Sequence, residues 1–174
     1  MDVVYYVATS IDGFIATPSG GVDWLDPFNT PDDDHGYREF EASVDVILMG
    51  SRTYEVSKAL GGFDYVKKPC WVFSSRITEA PEPTAELTTE TPEAAVARLS
   101  ATHERAWLMG GGDLASSFQR AGLISEYRIF VAPVLLGSGI PLFGKSGGAG
   151  SVDLVSAPSY PSGLVELRYA RRGS

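Results

Sequence analysis

The chain has 174 residues, of which 44% are hydrophobic and 21% charged. That is enough for one domain with its own core and no metal or disulfide staple, and no apolar run approaches the roughly 18 residues of a membrane span. A formal charge of −8 argues against a nucleic-acid partner, because phosphate backbones are held by clustered lysine and arginine.

Val3 to Thr9 is a near-continuous apolar run, the pattern of a strand buried on both faces, and it predicts a central strand of an α/β sheet. The opening Met-Asp-Val-Val-Tyr-Tyr has no basic segment or cleavage site, so the cytoplasm is the expected setting. After this strand, Ser10-Ile11-Asp12-Gly13-Phe14-Ile15-Ala16 leads into Thr17-Pro18-Ser19-Gly20-Gly21 and on to Val22-Asp23-Trp24-Leu25. Long loops rich in turn formers often carry function, although Asp12-Gly13 also fits a plain turn in which Asp12 accepts local backbone N–H groups.

Asp32, Asp33 and Asp34 precede Tyr37, Phe40 and Val44, whose spacings of three and four put them on one face of a short helix. Acids at a helix start suit its dipole and explain themselves as caps, while leaving room for one to face a substrate. Asp45 to Met49 is the next strand, closed by Gly50-Ser51-Arg52-Thr53 and a helical stretch toward Leu60, so a bare backbone and three side-chain donors meet at a helix start. Gly61-Gly62 breaks the chain before a third strand, Cys70-Trp71-Val72-Phe73. Its end, Ser74-Ser75-Arg76, reads either as a solvated turn or as a grip for a phosphate monoester such as the 2′-phosphate that separates NADP from NAD.

Cys70, the one cysteine, reads as a small buried hydrophobe. His35 and His103 have no Cys or His partner at ligand spacing, so both read as surface histidines and no structural metal is expected. Pro81 and Pro83 make the following stretch a loop or an edge. Thr91-Pro92-Glu93 then starts a helix with Thr91 as N-cap, Pro92 in the first turn and Val96 and Leu99 on the buried face.

Trp107-Leu108-Met109 is strand-like and stops at Gly110-Gly111-Gly112, after which Asp113 opens a helix carrying Leu114, Phe118 and Ala121 on one face until Gly122. Glycines let a ligand touch the main chain, and the unpaired N–H groups of a helix's first turn attract anions; a tight turn would use the same glycines. Gly110-x-Gly112-x-x-Ala115 fits the dinucleotide fingerprint, but the acid expected about 20 residues later is absent, which disfavours a Rossmann domain. Tyr127 to Leu136 is an apolar strand interrupted by Pro133, and Val152 to Ser156 and Leu164 to Tyr169 read as a closing antiparallel hairpin. Gly139 to Ser146 has Walker A spacing, but it is bulky inside and runs into Gly147, Gly148 and Gly150, which cannot sustain the helix a phosphate cradle feeds. The alternation of strands and helices predicts a mostly parallel sheet covered by helices on both faces.

Several of these segments, in this order, carry a resemblance. They are Ser10-Ile-Asp-Gly-Phe-Ile-Ala, Gly21-Val-Asp-Trp-Leu, Leu48-Met-Gly-Ser-Arg-Thr-Tyr-Glu, Val72-Phe-Ser-Ser-Arg, Leu108-Met-Gly-Gly-Gly-Asp-Leu and Val131-Ala-Pro-Val-Leu-Leu-Gly-Ser-Gly-Ile-Pro-Leu-Phe. The chain resembles the dihydrofolate reductase superfamily, and more closely the branch containing the reductase domain of bacterial riboflavin biosynthesis. The resemblance implies a three-layer α/β/α fold with a central sheet of about eight strands and NADPH as cofactor. It implies that Gly50, Ser51, Arg52 and Thr53 hold the pyrophosphate and adenosine side, and Ser74, Ser75 and Arg76 the 2′-phosphate. Gly110, Gly111, Gly112, Asp113 and Leu114 would complete the pyrophosphate seat, and Ala8 and Ile15 would meet the nicotinamide carboxamide.

The implied chemistry is hydride transfer to a C=N or C=O bond of a pterin-like or aminopyrimidine-ribose molecule, with a non-catalytic NADP(H)-binding module as the alternative. Asp34 and Asp12, and after them Tyr37, are the candidate proton donors. The resemblance also suggests a homodimer, with the Val131 to Leu136 strand extending across a two-fold axis.

Overall fold

Val3, Val4 and Tyr5 have no exposed surface, and with their neighbours they form β1 (Asp2–Ser10), the strand about which the sheet is built. The computed structural model describes residues 1–29, 33–60, 67–79, 83–145 and 147–173. Within them β1 lies between β6 (Arg105–Gly110) and β7 (Glu126–Ala132), parallel to both, with Val4 level with Trp107 on one side and Glu126 on the other. Beyond β6 the parallel array continues through β3 (Val46–Gly50) and β4 (Cys70–Phe73) to β5 (Ala85–Thr88). Beyond β7, β10 (Val165–Arg171) and β9 (Val152–Ser156) run antiparallel, giving an eight-stranded sheet in the order β5-β4-β3-β6-β1-β7-β10-β9. A separate antiparallel pair joins β2 (Phe14–Ala16) to β8 (Ile140–Pro141).

Alternation along the strands sends side chains to two covered faces. Val4, Ile47, Met49, Cys70, Val72 and Trp107 pack under α1 (Tyr37–Ser43) and α2 (Ser51–Ala59), which contribute Phe40 and Tyr54. Val3, Tyr5, Val46, Leu48, Ala106 and Leu108 pack on the other face with Leu99 of α3 (Pro92–Leu99) and Phe118 of α4 (Gly112–Arg120). The result is the expected three-layer α/β/α arrangement, mostly parallel with an antiparallel closing hairpin. Each fully buried Val or Leu in these layers contributes about 1.5–3 kcal/mol. Cys70 is one of these core residues, with no exposed surface.

Three readings change and one is narrowed. β7 is an interior strand that ends before Pro133, with both ladder edges already taken by β1 and β10, so it cannot extend across a two-fold axis; the sheet's edges are β5 and β9. The stretch near Pro83, read as loop or edge, contains β5 and is an edge. The buried face of α4 is Gly112, Ala115, Ser116 and Phe118, with Leu114 only partly buried, because the chain around Gly144 lies against the helix and Ser116 Oγ donates to the Gly144 carbonyl at 3.2 Å. His35, expected at the surface, is 8% exposed. Its Nε2 is 2.9 Å from Ser162 Oγ, its N–H donates to Asp33 Oδ1 at 2.9 Å, and Tyr160 meets its ring edge-on.

Asp32, Gly61, Gly62, Pro81 and Ser146 lie outside the described residues. No helix among the described residues is long and apolar enough to cross a membrane.

Candidate cofactor and substrate site

Two of the parallel strands end in the same way. β3 runs into Gly50 and α2, and β6 runs into Gly110-Gly111 and α4; Gly50 and Gly111 are the N-cap residues, and neither helix has a side-chain cap. α3 is different, because Thr91 Oγ1 accepts the Ala94 N–H at 3.3 Å. The first-turn N–H groups of α2 and α4 therefore keep the positive end of each helix for something else. The two ends are adjacent, since a Cβ on Gly50 would lie 3.8 Å from both the Gly110 carbonyl oxygen and the Gly111 nitrogen. The Gly110–Gly111 peptide is cis, and Gly110 has φ of 107°, a conformation that suits glycine.

These two ends border one groove of about 590 Å³, lined by Gly50, Ser51 and Arg52 from one unit and by Gly111, Gly112, Asp113 and Leu114 from the other. Arg76 lines it as well. Ser74 Oγ accepts the N–H groups of Arg76 at 3.0 Å and Ile77 at 2.9 Å, which folds the turn after β4. Arg76 Nη2 in turn donates to Ser51 Oγ at 3.4 Å. Ser74 thus shapes the turn, while Ser74, Ser75 and Gly110 do not border the groove. The electrostatics favour an anion: among the described lining residues, Arg52 and Arg76 face a single carboxylate, Asp113, which itself sits in the first turn of α4.

The remaining wall comes from Gly139, Ile140, Pro141 and Gly144, the stretch with Walker A spacing. Its glycines serve close backbone approach. A Cβ on Gly139 would meet the Ala16 carbonyl oxygen at 2.2 Å, the Gly144 N–H donates to the Gly112 carbonyl at 3.0 Å, and no helix follows among the described residues.

A second cavity of about 300 Å³ adjoins the groove and shares Arg52, Gly111 and Ile140 with it. Ala8, Ile15 and Thr53 line it, alongside Tyr6, Trp107 and Met109 from the same face of β1 and β6. The α2 face adds Val56, Ser57 and Leu60, and the loop after β2 adds Val22 and Leu25. Sequence reasoning missed most of this wall, although Thr53, Val56, Ser57 and Leu60 follow the i, i+3, i+4, i+7 rule and Tyr6 and Ala8 follow strand alternation. Tyr6 is held firmly: it stacks on Phe40 with ring centroids 4.0 Å apart, and the Trp107 Nε1–H donates to its carbonyl at 3.1 Å. Arg128 lies 5.3 Å from its ring and pairs with the buried Glu166. Burial pushes the Tyr6 phenol far above its ordinary pKa despite the opposing pull of Arg128, so it stays protonated, with a hydrogen to donate and an oxygen that can accept.

The three candidate proton donors border neither cavity. Asp12 accepts from Ser10 Oγ at 2.6 Å and from the N–H groups of Leu136 at 3.1 Å and Gly137 at 2.7 Å, a clamp between the turn after β1 and the chain after β7. The Ser10 hydroxyl, followed by these backbone donors, holds its carboxyl below the usual range. Asp34 accepts from the N–H groups of Arg38 and Gly36, each at 3.1 Å, and the Arg38 N–H lowers its pKa first of all. Tyr37 packs edge-on against Tyr6 and Trp107 at 6.3 and 6.0 Å, one layer behind the wall. Among the described residues, no carboxylate or histidine borders the smaller cavity.

The profile of the RibD C-terminal domain matches residues 2–165. The chain belongs to that family. It is 36% identical over 170 residues to YwjB, an uncharacterized protein of Bacillus subtilis (strain 168), covering 97% of each chain. The crystal structure of a Shewanella sp. PV-4 protein named for riboflavin biosynthesis superposes with a TM-score of 0.91 at 29% identity, covering 99% of this chain and 100% of that one. The fold also matches a Thermotoga maritima diaminohydroxyphosphoribosylaminopyrimidine deaminase/5-amino-6-(5-phosphoribosylamino)uracil reductase, with a TM-score of 0.74 at 16% identity, over 98% of this chain but 56% of that one. As a member of the RibD C-terminal domain family, the chain is a reductase-like domain whose helix-end groove and apolar cavity adjoin at Arg52, Gly111 and Ile140.

Proposed function

We propose that this protein is an NADPH-dependent reductase acting on a C=N or C=O bond of a small heterocyclic molecule, pterin-like or of the aminopyrimidine class. The observation that carries the reading is the meeting of two helix N-termini without side-chain caps, at Gly50 and Gly111, on one groove bordered by Arg52 and Arg76. Such ends satisfy the oxygens of a diphosphate through backbone N–H groups, and the guanidinium groups add charge-assisted bonds. Gly50, Ser51 and Arg52 with Gly111 to Leu114 would hold the diphosphate, Arg76 the 2′-phosphate, and Ala8 and Ile15 the nicotinamide end, which enters the smaller cavity. When bound, NADPH supplies the hydride; the chain supplies alignment through the apolar wall. With Asp12 and Asp34 committed to backbone N–H groups, the proton is drawn from solvent near the hydroxyl-bearing residues Tyr6, Thr53 and Ser57. We take the cytoplasm as its setting, as suits a chain with one buried cysteine.

The absence of a carboxylate or histidine among the described residues of the smaller cavity favours one competing reading, a non-catalytic NADP(H)-binding module. Titration with NADPH, followed through quenching of Trp107 emission, should saturate well below millimolar cofactor; no quenching at millimolar NADPH would remove both readings. Oxidation of NADPH in the presence of any member of a panel of pterins and aminouracils then separates the enzyme from the module.

A further inference from the structure

Building on the reductase reading, we propose that the substrate is uncharged, carries no phosphate and is about one ring in size. The cavity beside the groove is walled by Tyr6, Leu25, Val56, Leu60, Trp107 and Met109, an aromatic and aliphatic surface. Its volume of about 300 Å³ stands at the lower end for ligand cavities, and the nicotinamide end of the cofactor takes part of it. What is left fits a single ring, which favours the aminopyrimidine class over the two fused rings of a pterin.

Charge excludes a phosphorylated guest. Arg52 is the cavity's only cation among the described residues, and it stands in the wall shared with the groove, where the cofactor's diphosphate claims it. Segments 30–32, 61–66 and 80–82 contain no lysine or arginine in the sequence, and Lys68 pairs with Glu41 at 3.8 Å. A phosphate set against this wall would lose its hydration without gaining a partner. The phosphoribosyl substrate in the name of the Thermotoga maritima reductase is therefore a poor fit. Thr53 and Ser57 supply the hydroxyl handles that a neutral carbonyl or imine needs for orientation. Reduction adds the hydride to the carbon of that bond and a solvent proton to its oxygen or nitrogen, leaving the cofactor oxidised.

The test uses a matched pair of probes, para-hydroxyacetophenone and its phosphate ester, titrated by calorimetry into protein saturated with NADP⁺, which binds without turnover. The neutral ketone should bind at least about tenfold more tightly than the ester, the loss expected when a charge enters an unpaired apolar site. Leu60 is 60% exposed at the end of α2, so Leu60→Arg is compatible with folding, and it should narrow or reverse the preference by supplying a cation at the mouth. Equal or tighter binding of the ester to the wild-type protein, or binding of neither probe, would overturn the inference. Saturation with NADP⁺ is read first, so absence of cofactor binding marks the failure of the reductase reading, whereas a preference for the ester on the saturated protein marks the failure of this inference alone.

Discussion

Arg76 reaches the groove because Ser74 spends its hydroxyl oxygen on two backbone N–H groups and turns the chain toward Ser51. If its guanidinium reads a 2′-phosphate, Arg76→Ala should weaken NADPH on the order of tenfold while changing NADH by no more than about twofold. Parallel fluorescence titrations check this, and equal losses would assign Arg76 another task. Asp12 makes a second claim at this scale. Its carboxyl is held below the ordinary pKa of about 4, so its clamp on Leu136 and Gly137 is in place above that value and is lost as the pH falls through the lowered one. The gap in urea midpoint between wild type and Asp12→Asn should be present at neutral pH and shrink below about pH 4; a gap that persists undiminished into strong acid would contradict the clamp. Residue types were easier to read than residue duties. Ser74 and Asp34 stood out because of their chemistry, but both serve the backbone locally, and only coordinates reveal which N–H groups lie within reach.

The two strand–glycine–helix units were legible because β-branched and aromatic runs, a glycine and a renewed helical period follow one another directly in sequence. Thr91 was legible for the same local reason, and its cap in the structure agrees with the reading. Thr91→Ala should lower stability by about 1 kcal/mol, read as a shift in urea midpoint, and leave NADPH affinity unchanged because α3 does not border the groove. A loss of cofactor affinity would mean that the layers are coupled. The substrate wall was less legible. Val56, Ser57 and Leu60 repeat at helical spacing, but an apolar helical stripe reads as core, and only the cavity they share with Tyr6 and Ala8 of β1 and with the loop after β2 shows that this stripe borders open space. The role of Gly139 and Gly144 was hidden similarly, since the need for glycine arises from Ala16 and Asp113, distant in sequence.

For the whole molecule, the mostly parallel sheet and the closing hairpin could be read from pattern and the strand count came from resemblance, whereas the order that brings β3, β6 and β1 side by side was not legible, because pairing between distant segments leaves no local trace. The same limit explains why β7 was placed at an interface: its apolar run is that of an interior strand. If the protein pairs as a homodimer, β9 offers the better surface, an edge strand with Val152, Leu154 and Val155 exposed by 38%, 62% and 54%. Light scattering should give twice the chain mass, and Leu154→Lys should return it to the mass of one chain; a wild-type monomer would dismiss the pairing.

The claim on which the function rests is that α2 and α4 aim their first turns at one diphosphate. A crystal structure with NADP⁺ bound tests it most directly. The account predicts diphosphate density within hydrogen-bonding distance of the backbone at Gly50–Arg52 and Gly111–Leu114, the 2′-phosphate on Arg76 and the nicotinamide against Ala8 and Ile15. Density for the dinucleotide elsewhere on the protein, with these two helix ends facing solvent, would contradict it.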